Sequence, residues 1–164
     1  MRNRLACAAL CVCVVCVPLV FAQDSATDCS FQDGKQMSIR YNVVPSKKNA
    51  AKQRQVWAPG NKPMTLFTQT NLVLGDQSIP AGAYTLYVIP DRDDWTLVVN
   101  KNVQDGAKYD ANQDVTRAKM PTAELNTPVN QLELTLTKAG PSQCNLRVYY
   151  AKTGTYGAEF KEKQ

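Results

Sequence analysis

The residues best placed to do chemistry lie in one loop, Trp57-Ala58-Pro59-Gly60-Asn61-Lys62-Pro63. An aromatic ring, an amide and an ammonium carried on a Pro/Gly segment can stack on a ligand and hydrogen-bond to it. This makes Trp57, Asn61 and Lys62 candidate binding residues. The same residues also serve a plain scaffold, with Trp57 as an anchor and the prolines stiffening the turn into Met64, Leu66 and Phe67. A second cluster, Asp91, Asp93 and Asp94, crowds one turn. It lacks the glycine and the closing glutamate of a calcium loop, so it reads as a solvated turn. The basic run Lys47, Lys48, Lys52 and Arg54 suits phosphate, an anionic polysaccharide or a membrane surface, or else a solvated helix face. The aromatics Tyr84, Tyr87, Trp95, Tyr149, Tyr150 and Tyr156 serve either as sugar platforms or as core and cross-strand pairs.

Other chemistries are closed. The chain contains no histidine, which removes Ser-His-Asp and Cys-His nucleophiles and every histidine metal site. General acid–base work falls to Asp, Glu, Lys or Tyr. No phosphate loop, dinucleotide fingerprint or nucleic-acid module is present, and no catalytic residue, metal ligand or cofactor is assigned. A carboxylate pair for glycoside cleavage stays open, because sequence does not set the carboxyl separation.

The start of the chain reads as a secretory signal peptide over residues 1–22. Arg2 and Arg4 are followed by an apolar run from Leu5 to Val17, then Pro18 and Val20-Phe21-Ala22. The apolar run is too short for a stable membrane span. Removing it leaves 164 − 22 = 142 residues, one ordinary domain, with 17 basic and 14 acidic residues and a charge of +3. That charge does not argue for nucleic acid. Four cysteines leave with the signal, and Cys29 and Cys144 remain. In an exported chain, periplasmic or extracellular, the pair reads as a disulfide; the alternative is two free thiols.

The elements that must position these groups are strands. Residues 23–35 form a polar segment tethered by Cys29. Met37, Ile39, Tyr41 and Val43 alternate inward along the first strand, which Pro45 ends. Ser46 to Gln55 predicts one short helix capped by Ser46. Short strands follow around Thr65–Thr68, Asn71–Leu74 and Gln77–Pro80. Ala83–Ile89 and Trp95–Lys101 form the clearest hairpin, with Tyr84, Leu86 and Val88 on one face and Trp95, Leu97 and Val99 on the partner's. Val115–Met120 is a weak strand, Pro121–Leu125 a turn, Gln131–Lys138 a strand with Leu132, Leu134 and Leu136 inward. Cys144–Ala151 and Thr155–Phe160 complete a single domain over residues 36–160, with 161–164 as a polar tail. The fold class expected is all-β: an antiparallel β-sandwich, jelly-roll-like, with one short helix.

The run Ile79–Lys101, with Pro80, Ala81, Gly82, Tyr84, Leu86, Pro90, Trp95, Asn100 and Lys101, resembles the signature of an exported bacterial family, domain of unknown function 2911. The first strand, the closing strands and the segment carrying Tyr109, Asp110, Asp114, Val115 and Arg117 are similar to it as well. The resemblance spans residues 34–160 and implies a signal-bearing β domain without established catalytic residues or cofactor. It adds Tyr109 and Arg117 to the candidate binding residues. Relatives commonly read Val-Trp-Arg-Thr-Gly-Ala-Asn-Glu before the next strand. This chain keeps Val56, Trp57 and Gly60 but has Ala58 at the Arg place and Pro63 at the Glu place.

The function expected is therefore a non-enzymatic binding or envelope-associated domain, its partner a glycan, an envelope component or a protein, and not nucleic acid. The alternative is a carboxylate-dependent hydrolase or carbohydrate-active enzyme.

Overall fold

The computed structural model describes residues 23–46, 51–59 and 62–163. The expected signal segment lies outside them. Ten strands pair antiparallel throughout: β1 (Gln23–Ser30), β2 (Gln36–Val43), β3 (Met64–Thr68), β4 (Leu72–Leu74), β5 (Gln77–Ile79), β6 (Gly82–Ile89), β7 (Asp94–Asn100), β8 (Asp114–Gly140), β9 (Gln143–Thr155) and β10 (Ala158–Glu162). Their order is β1-β2-β3-β6-β7-β8-β9-β10-β4-β5. The all-β antiparallel class read from the sequence holds.

The long β8 joins the two halves. Its first part pairs with β7 as far as Pro121, and from Thr122 onward it pairs with β9. The sequence reads a turn at Pro121–Leu125; the structure instead has a continuous strand that exchanges partners there and shifts register between Glu124 and Glu133. Inward residues from both halves share one core. Met37, Ile39, Leu66, Leu86, Leu97 and Met120 from the first meet Leu72, Ile79, Leu132, Leu146, Val148 and Phe160 from the second. The alternation in β2 and β6 and the three leucines of Gln131–Lys138 account for this burial. The expected bridge Cys29–Cys144 ties β1 to β9.

Two local readings change. Residues 23–30 read as a polar tether, and they form β1, held by an eight-pair register with β2 and by Cys29 rather than by apolar side chains. The predicted helix is absent from the described part of its stretch: residues 51–55 are bends and turns, with Arg54 at φ 58°. Ser46 does not cap it. Its N–H donates to the Asn130 carbonyl (2.8 Å), and its Oγ accepts from the Ala151 N–H (3.0 Å). Tertiary pairing to β8 and β9 overrides the helix propensity there. Lys47 and Lys48 lie outside the described residues.

The feature that positions a site is the outer face of the β6–β7 hairpin. Tyr84, Leu86 and Val88 point into the core as read, yet outward-facing Thr85, Tyr87, Val98 and Asn100 are buried as well. The cover is the segment 101–113, which folds back over them; it is closed at its base where the Lys101 N–H donates to the Gln113 carbonyl (2.9 Å).

Candidate functional site

The pairing registers lay a row of side chains across this outer face. Arg40 on β2 is opposite Thr65 on β3, Thr65 is opposite Thr85 on β6, Thr85 is opposite Asn100 on β7, and Asn100 is opposite Asp114 on β8. The far end of the row clamps the covering loop. Asn100, fully buried, donates from Nδ2 to the Asp110 carbonyl and to Asp114 Oδ1, both at 2.8 Å, and its Oδ1 accepts from the Asn102 N–H at 3.0 Å. The Thr85 hydroxyl donates to the Asn102 carbonyl at 2.9 Å. Asp110 accepts from the Asn112 N–H at 2.9 Å and starts a 3-10 turn, Ala111–Gln113.

Asp114 is the centre of the clamp. Its Oδ2 accepts from the Tyr109 hydroxyl (2.7 Å) and from Arg117 Nε (2.9 Å) and Nη2 (2.8 Å), and Nη2 also donates to the Tyr109 oxygen (2.8 Å). Tyr109 stacks edge-on against Tyr87, centroids 5.0 Å apart. Burial, and next the Asp114 carboxylate, push the Tyr109 hydroxyl pKa above its ordinary 10.0. The hydrogen bond to Asp114 likewise raises the Arg117 pKa. The phenol, set between a carboxylate and a guanidinium, ties the loop to β8.

Between this clamped loop and β1–β3 lies a groove of about 630 Å³. Phe67, Val103 and Pro63 supply apolar surface, Arg40 and Lys62 supply cations, and Asp24 and Asp105 supply acids. Arg40 sits over the Phe67 ring, 5.2 Å from its centroid. Among the described residues neither Arg40 nor Lys62 has an ion-pair partner. Elsewhere on the surface Arg54, Lys119, Lys152 and Lys161 are held by acids, while Lys52, Arg92, Lys101, Lys108, Lys138, Arg147 and Lys163 share with Arg40 and Lys62 the lack of an ion pair among the described residues. What sets Arg40 and Lys62 apart is their place beside the apolar wall of one groove. Asp24 and Asp105 are exposed. Two carboxyls away from the groove are held below the ordinary range: Asp33, first by its side-chain hydrogen bond to Lys35, and Asp91, first by the Arg92 backbone N–H.

The candidates read from the sequence separate into three places. Lys62 lines the groove. Tyr109 and Arg117 form the clamp. Trp57 is placed against the core: it exchanges backbone hydrogen bonds with Val88 (2.7 and 3.1 Å) and meets Trp95 and Tyr150 edge-on at 6.1 and 4.7 Å. That is the anchoring role its position suggests. Asn61 lies outside the described residues. Sequence reasoning gave no site role to Asn100, Thr85, Arg40 or Phe67, although Asn100 stands in the signature run. A polar residue closing an apolar strand was the available signal for Asn100; nothing local marks the others.

The architecture is that of an antiparallel all-β domain with a clamped loop roofing an outer-face groove. The chain matches the family described as "Protein of unknown function (DUF2911)" over residues 25–156, and it belongs to that family. No curated protein and no solved structure matches it.

Proposed function

We propose that the chain is an exported, non-catalytic binding domain whose ligand, a component of the cell envelope, sits in the groove beside loop 101–113. The observation that carries this is the pairing of an apolar wall with two cations free of ion pairs, on a face whose bordering loop is fixed in advance. Holding a loop rigid lowers the ordering cost of binding. A bridged cysteine pair suits an oxidising compartment, and the N-terminal sequence reads as an export signal. Among the described residues no helix is long and apolar enough to cross a membrane.

The test is thermal unfolding of the bridged protein against separate glycan, lipid and protein fractions of a bacterial envelope. Ligand at about a hundredfold over its Kd adds about 2.7 kcal/mol of stability, a rise of several degrees. One class of fraction should give that rise, Lys62→Glu and Arg40→Glu should abolish it, and the ligand should be recovered unchanged. Unmoved melting with every class, or full binding by both variants, defeats the reading. Cleavage products would transfer the assignment to the carboxylate-dependent hydrolase.

A further inference from the structure

On the other side of Phe67 from the groove lies a smaller hollow of about 320 Å³, near the lower end of the roughly 300–1,000 Å³ usual for ligand pockets. Its residues come from a second row of the same outer face: Asp28 on β1 is opposite Ser38 on β2, and Ser38 is opposite Phe67 on β3. Adjacent strands stand about 4.8 Å apart, so the Asp28 and Phe67 backbones are separated by roughly 10 Å, with Ser38 between them. Phe67 is 38% exposed, one of few large apolar side chains that reach solvent. Arg40 lies over the Phe67 ring, 5.2 Å from its centroid, and Phe67 lines both the groove and the hollow.

The polar groups that line the hollow with Phe67 suit hydroxyls. Asp28 is an exposed carboxylate able to accept from two O–H groups at once. Ser38 offers a hydroxyl. The Gln69 Oε1 is occupied by the Gln36 N–H (2.9 Å), which leaves the Gln69 amide NH₂ as a donor. Gly82 closes the β6 side and presents no side chain. Asp28 is the only ionised group lining the hollow, among the described residues, so its charge opposes anions and lacks the acid cluster that would hold a metal cation. An uncharged, hydroxyl-rich ring fits: its C–H face against Phe67, its hydroxyls on Asp28, Ser38 and Gln69.

We infer that this hollow is a subsite for one neutral sugar residue of a glycan whose remainder continues past Phe67 into the groove. The inference rests on the reading of this face as a binding face and names the ligand class. The test is calorimetric titration of the bridged protein with cello-, xylo-, manno- and chito-oligosaccharides, with the melting curve of each variant as a folding control. At least one series should bind. Phe67→Ala and Asp28→Ala should each weaken it about tenfold or more, and Phe67→Trp should retain it. No binding by any series, or undiminished binding by Phe67→Ala, overturns the inference. If a non-sugar ligand is lost with Lys62→Glu and kept with Phe67→Ala, the binding-domain reading stands and the sugar subsite falls.

Discussion

Replacing Asp114 with alanine should release the loop 101–113 without touching the core. The carboxylate accepts from Tyr109, from two nitrogens of Arg117 and from Asn100. The Arg117 side chain is 47% exposed, so its ion pair contributes little, about 0.5 kcal/mol after solvent screening. Asn100 is fully buried and keeps the Asp110 carbonyl as its remaining acceptor, so its loss is one partner of two. The Tyr109 hydroxyl keeps only a donor. Each of these two hydrogen bonds contributes about 1 kcal/mol, somewhat more because the acceptor is charged. The sum is roughly 2–3 kcal/mol, a fall in midpoint of roughly 6–9 °C for a domain of this size. Hydrogen exchange should localise it: amides of 101–113 lose protection while those of β2 and β9 keep theirs relative to global stability. Asp114→Asn should fall between, since it preserves shape and loses charge. A midpoint within about 2 °C of the parent, with loop protection unchanged, would show that the clamp does not hold the loop.

Gly157→Ala should cost at least about 2 kcal/mol: φ is 110°, and the added Cβ would overlap the Asn145 side chain and stand 2.6 Å from the Leu146 carbonyl oxygen; urea unfolding measures it. Reducing Cys29–Cys144, whose ends are 115 residues apart, should remove about 5 kcal/mol in the chain-entropy model, read as a drop in urea midpoint under reductant. Tyr109, with its pKa raised in the fold, contributes stability that is present below its unfolded value of 10.0 and lost as pH rises through the higher folded value. Alkaline melting should therefore steepen above pH 10 in the parent and be shallower in Tyr109→Phe, the residual slope coming from Tyr84, which burial raises, and Lys35, which its hydrogen bond to Asp33 raises.

The hairpin β6–β7 was legible because its alternation, aromatics and turn all agree. Its second buried face was also written there, in the apolar residues at both parities of "AYTLYVI", but the cover over that face was not. β1 was hidden because "DSATDCS" has no apolar period; its pairing is set by the backbone of β2 and by one cysteine. Pro121 read as a stop, yet it marks the place where β8 changes partner. The clamp residues Tyr109, Asp114 and Arg117 are close in sequence, but their convergence depends on a 3-10 turn and on Asn100 from β7. The groove draws on β1, β2, β3, β6 and a loop at once, and no local pattern encodes which strands are neighbours. The helix failed in its described part because Ser46 is bonded to β8 and β9, while Arg54 is turned to φ 58° and gives its N–H to the Pro90 carbonyl (2.7 Å) and its side chain to Asp91.

If the outer face of the first half of the sheet binds ligand, titration of the bridged protein with envelope glycan, followed by hydrogen exchange on the complex, shows it. Saturable binding is expected, with new protection confined to β1–β3, the Lys62 turn before β3 and loop 101–113. Protection appearing only at the β4–β5 and β9–β10 turns, or saturable binding that leaves Phe67, Lys62 and the loop unprotected, would contradict a ligand site on this face.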